Sequence, residues 1–129
     1  MKYLSIDPGS THFGFAVADS ENELVSPLAT LSAQDINRKI LNVISTHQPD
    51  VVIVGVPSFG PTKLLSEAIY TYLNTIPNLK CLLHNEDFST SQSQTLLSMS
   101  GHKLSKRKEL NHSAAAAFIL ESYLSTLPK

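Results

Sequence analysis

The run Val51-Val52-Ile53-Val54-Gly55-Val56 limits the possible folds more than any other stretch of the chain. Consecutive apolar residues, most of them β-branched, leave no polar face for water. A strand built from them must be covered on both sides, as in a parallel sheet flanked by helices. The flanking sequence supplies the cover. Ile36, Ile40, Val43, Ile44 and His47 precede the run at helical spacing, and Leu64, Leu65, Ala68, Ile69, Tyr72 and Leu73 follow it. The run is therefore predicted to be an inner strand carrying crossover helices.

Upstream, residues 2–7 and 12–19 read as strands joined by Asp7-Pro8-Gly9 and a few hydroxyl residues. Gly14 permits a close approach or a bulge in the second strand. A third strand is predicted over 24–31, with Pro27 arguing for an edge position or an irregularity. Short polar turns make these three an antiparallel meander. Ser32 is expected to cap the first helix, with Asp35 three residues on. Downstream, 79–83 forms a fifth strand. Ser89 or Thr90 caps a third helix through Leu96, Leu97 and Met99 to Gly101. A polar linker spans 102–110, and Asn111 caps a last helix on Ala114 to Leu120 and Tyr123. The predicted order is β-β-β-α-β-α-β-α-α. It implies an α/β fold, one domain over 1–129, with a five-stranded mixed sheet: three antiparallel strands, two parallel ones, and helices on both faces.

The formal net charge of −1 gives no global basic field for nucleic acid. Four of the ten basic residues, however, are Lys103, Lys106, Arg107 and Lys108, within six positions. That run is suited to sequence-blind contact with backbone phosphates. The single cysteine, Cys81, lies in an apolar run and is expected to be a buried thiol, which suits a reducing compartment. No signal pattern or membrane-length apolar run is present, so a cytoplasmic protein with no membrane partner is expected.

In sheets of this kind, sites gather beyond the C-terminal ends of parallel strands. Asp7 ends the first strand, Glu86 follows the fifth, and His112 enters with the last helix. Two carboxylates and an imidazole are a divalent-metal set. The oxygens suit Mg2+ or Mn2+, and the imidazole leans toward manganese or zinc. Such metals promote phosphodiester hydrolysis. Ser10 and Thr11 offer hydroxyls and amides to a phosphate. His12, His47, His84 and His102 lack ligand spacing and are expected to be structural or exposed.

These motifs resemble the YqgF/RuvX family, RuvC-like members of the ribonuclease H-like fold. Asp7-Pro8-Gly9 with Gly14-Phe15-Ala16-Val17-Ala18-Asp19 is similar to the family's opening motif, and Pro27-Leu28-Ala29-Thr30 to its third strand. Val52 to Pro57 resembles its hydrophobic-Gly-Leu-Pro segment, and Asn85-Glu86-Asp87-Phe88-Ser89-Thr90 its Asp-Glu-Arg-Leu-Ser/Thr-Thr motif. His112-Ser113-Ala114-Ala115 with Ile119 to Leu124 resembles its last helix. The resemblance implies a metal-dependent nuclease that processes the precursor of small-subunit (16S) ribosomal RNA, with nucleic acid as partner. It implies Asp7, Glu86 and the position of His112 as the catalytic and metal-holding residues. Two alternatives accompany it: a catalytically impaired RNA- or ribosome-assembly-binding member, and a Holliday junction resolvase. The first is motivated by His112, where the family has aspartate, and by Asn85 and Asp87 around Glu86. The Asp-x-Gly-Ser opening also begins actin-like kinases, but those need two such domains.

Overall fold

The computed structural model describes residues 1–19, 21, 24–85 and 104–127, with side chains of the last helix described from residue 112 onward. Its strands are β1 (Lys2–Asp7), β2 (His12–Asp19), β3 (Leu24–Ser32), β4 (Val51–Val56) and β5 (Lys80–Asn85). They form one sheet in the order β3-β2-β1-β4-β5. The pairs β1–β2 and β2–β3 are antiparallel, whereas β1–β4 and β4–β5 are parallel. The meander and the two parallel strands are thus as expected. The predicted third helix, near 89–101, lies outside the described residues.

The helices are α1 (Ile36–His47), α2 (Pro61–Leu73) and α3 (Leu104–Ser125). Alternation along the strands divides the core into two layers. Leu4, Ile6, Phe13, Phe15, Val52 and Val54 pack with Ile40, Ile69 and Leu73 of α1 and α2. Tyr3, Ala16, Ala18, Val51 and Ile53 pack with Ala116, Ala117, Ile119 and Leu120 of α3. The β4 run is buried at Val51 through Gly55, which is the double cover its composition requires.

The α3 layer is closer-packed because its residues are small. A Cβ on Gly14 would collide with the His112 carbonyl and would lie 2.7 Å from the Ser113 nitrogen. Glycine at 14 therefore lets a helix backbone rest directly on β2. Deeper in the layer, the buried Ser5 hydroxyl donates a 2.6 Å hydrogen bond to the Ala116 carbonyl. Ser5→Ala is expected to cost about 1 kcal/mol of unfolding free energy, the usual worth of such a bond. Urea denaturation of the two proteins checks this.

Pro27 does lie in an edge strand. Phe15 pairs with Ala29 and Ala16 with Pro27, so Leu28 is the extra residue of a bulge. Cys81 is buried, and burial pushes its thiol up to about 12, which makes it an inert core residue.

Three local expectations are corrected. Ser32 caps no helix, because it is held in β3 opposite His12, and the helix starts after Asp35, which sits at φ 53° without a side-chain cap. β5 runs to Asn85 rather than Leu83, because pairing with Gly55 and Val56 carries His84 and Asn85 into the ladder. The basic run is no linker: α3 begins at Leu104, so Lys106, Arg107 and Lys108 are helical and Asn111 is interior. Strong helix formers dominate 104–110, and a helix already anchored downstream propagates into them at little cost.

Candidate functional site

The parallel register sets the site's edge. Asp7 ends β1 and pairs with Gly14 of β2, while Val56 and Asn85 end the neighbouring β4 and β5. By alternation Asp7 points to the same face as Tyr3 and Ser5, the face covered by α3. Its carboxylate is nearly enclosed, with the side chain 9% exposed. An ionised carboxylate in such surroundings is costly without a compensating cation or donor.

His112 comes to that carboxylate from α3. Its Nδ1 lies 3.5 Å from Asp7 Oδ2, and its side chain is 29% exposed. The approach is set by Gly14 beneath the helix and by Gly9 in the turn. A Cβ on Gly9 would collide with the His12 carbonyl and would lie 3.1 Å from His112 Cε1. The turn after Asp7 thus needs glycine chiefly because the His12 carbonyl occupies the space, with the imidazole close beside it.

The Asp7–His112 separation is long for a charge-assisted hydrogen bond. It is close to the roughly 3.0–3.4 Å expected between two ligand atoms that share one cation at about 2.1 Å each, at octahedral to tetrahedral angles. One oxygen and one nitrogen thus converge at a spacing that fits a divalent cation, and the remaining positions need further oxygens. Among the described residues no group of three His, Cys, Asp or Glu side chains could hold a metal. Glu86 directly follows Asn85 and lies outside the described residues.

Of the other nominated residues, Ser10 and Thr11 are exposed on the turn between Asp7 and β2. Lys106, Arg107 and Lys108 belong to the opening of α3, where Lys108 precedes His112 by four positions, about one turn. Lys103 lies outside the described residues. The strand ends are tied together, since Asn85 Nδ2 donates to Ser58 Oγ at 3.0 Å across the mouths of β4 and β5.

One neighbour of His112 lies far from it in the chain. His12 is exposed at the start of β2, and its ring stacks with that of His112, with centroids 6.1 Å apart and planes at 28°. A hundred residues separate the two, so no local pattern could have paired them. The remaining described histidines are structural or peripheral. His84 contacts Ser122 Oγ through Nε2 at 2.9 Å and meets Tyr123 edge-on, and burial pushes its imidazole below the usual histidine range.

Comparison with known proteins agrees with the fold. The family model described as "RuvX: Holliday junction resolvase" matches residues 1–126. A protein of Dehalococcoides mccartyi named "Putative pre-16S rRNA nuclease" is 30% identical over 124 residues, covering 90% of this chain and 92% of its own. A Staphylococcus aureus protein of the same name is 28% identical over 137 residues, covering 98% and 96%. Among solved structures, the Fowlpox virus resolvase bound to Holliday junction DNA superposes with a TM-score of 0.68 at 21% identity, covering both chains fully. The T. thermophilus RuvC complex with its Holliday junction substrate gives 0.55 at 18% identity, covering 96% of this chain and 93% of its own. The fold is that of the RuvC and resolvase group, ribonuclease H-like.

Proposed function

The chain belongs to the RuvX family, and on that premise we propose that it is a cytoplasmic, divalent-metal-dependent nuclease acting on precursor 16S ribosomal RNA. The observation that carries the proposal is the buried Asp7 carboxylate facing His112 Nδ1 at 3.5 Å, on the sheet edge where Glu86 follows β5. The names of the curated relatives supply the RNA substrate.

In this proposal Asp7, Glu86 and His112 hold the cation. When bound, it neutralises charge on the scissile phosphate and lowers the pKa of an attacking water. Asp7 contributes a carboxylate from a position fixed by its pairing with Gly14 of β2. His112 contributes a neutral nitrogen where the family pattern has a carboxylate, which lowers the site's negative charge by one. A harder cation loses more from that exchange than a softer one, so Mn2+ should support activity better than Mg2+. Ser10 and Thr11 offer hydroxyls to the phosphate beside Asp7. Lys103, Lys106, Arg107 and Lys108 attract the backbone without reading its sequence.

Two other readings have specific support. The family model's description and both DNA-bound structural neighbours favour a four-way DNA junction as substrate. His112 in the third ligand position favours a non-catalytic RNA- or ribosome-assembly-binding protein. One experiment separates all three. Purified protein is incubated with end-labelled precursor ribosomal RNA or a four-way junction, in Mn2+, Mg2+ or EDTA. RNA cleavage that is fastest in Mn2+ and absent in EDTA is expected. Preferential junction cleavage makes the protein a resolvase. RNA binding without cleavage and without measurable Mn2+ binding makes it a binding protein.

A further inference from the structure

His112 carries more of the proposed site than a single distance conveys. Its Nδ1 faces Asp7, its Cε1 edge meets the Gly9 turn, and its backbone rests on Gly14. An imidazole on a helix can still rotate about its side-chain bonds, and rotation would carry Nδ1 away from the carboxylate. The ring of His12 stands against that of His112, at 6.1 Å between centroids and 28° between planes, within the range of offset stacking.

His12 is itself held. It opens β2 in register with Ser32 of β3, which sets its backbone. Its Nδ1 lies 3.1 Å from Thr11 Oγ1, which orients the ring. The brace is therefore mounted on the sheet and on the turn after Asp7, both outside α3. We propose that His12 is a positioning residue of the site, whose ring keeps His112 Nδ1 directed at Asp7. The inference rests on the metal-dependent nuclease proposed above, and it gives a role to a residue that is not itself a metal ligand there.

A competing role is direct contact with substrate. His12 also lines a groove of about 420 Å³ with Thr30, Ser32 and Ser113. The two roles need different parts of the side chain. Bracing needs a flat ring, whereas substrate contact through the groove needs the imidazole nitrogens. Phenylalanine keeps the first and removes the second.

Wild type, His12→Ala and His12→Phe are compared in two measurements. The first is the long-range 1H–15N spectrum of the His112 imidazole without metal. The second is the Mn2+-dependent cleavage rate, resolved into kcat and KM. Bracing predicts altered His112 ring resonances in His12→Ala, with kcat lower by about 10-fold, as for loss of a ligand-orienting partner, and KM within about twofold. It predicts wild-type-like resonances and a kcat within about threefold of wild type in His12→Phe. The proposal is overturned if His12→Phe is as impaired as His12→Ala, or if the His112 resonances are the same in wild type and His12→Ala. Should wild type cleave nothing, the nuclease proposal fails and the imidazole spectra still decide the brace.

Discussion

Asp7→Asn protein is expected to lose Mn2+-dependent cleavage by on the order of 10³-fold, about 4 kcal/mol of barrier, while melting near the wild-type temperature. The substitution preserves size and shape, so the β1 ladder and its pairing of position 7 with Gly14 should persist. What changes is charge. An amide oxygen is a weak replacement for a carboxylate beside a hard cation. The isosteric amide keeps the side chain's packing and its place in the β1 ladder, so the fold should persist. Activity and stability should therefore separate, with cleavage lost and the fold kept. Initial rates, thermal melts and Mn2+ titrations on the same preparations check the three parts. Wild-type cleavage by the variant would remove Asp7 from the site.

The second large effect is expected from Gly14→Ala, which adds one methyl group. That methyl would meet the His112 carbonyl and the Ser113 nitrogen, which are backbone atoms that cannot rotate away. α3 would have to lift from β2, and it carries the buried Ala115, Ala116, Ala117, Ile119 and Leu120. Overpacking against rigid structure costs about 3 kcal/mol, which for a chain of this size lowers the melting temperature by roughly 10 °C. The same displacement carries His112 away from Asp7, so cleavage should fall even at temperatures where the variant stays folded. Differential scanning calorimetry and cleavage at 15 °C separate the two consequences. A variant that melts like wild type would mean that the close packing of α3 on β2 is not required.

Much of the fold could be read locally. The β-branched run of β4 announces burial on both faces because its residues offer no polar side. Pro27 marks an edge because a strand between two partners needs the amide that proline lacks. Gly14 signals close approach, and the alanines of 114–117 signal the helix that takes advantage of it. The misreadings came where a local cue competed with a distant partner. Ser32 looks like a cap until His12 pairs with it, and Asn111 looks like a helix start until downstream packing has anchored α3. His84 and Asn85 look like loop until β4 draws them into the sheet.

The candidate site divides in the same way. From sequence alone, Asp7 could be placed at a strand end beside a tight turn, and Glu86 and His112 could be nominated by their place in the chain. Those inferences need only hydrophobic periodicity, turn chemistry and a motif in order, all carried by neighbouring residues. Only the tertiary structure decided that His112 approaches Asp7 to 3.5 Å and that His12 stacks with His112. Those distances depend on β1–β2 register, on a helix resting on Gly14, and on a turn with no side chain at Gly9. Each is a contact between segments far apart in the chain, and side chains a hundred residues apart leave no periodic mark on one another.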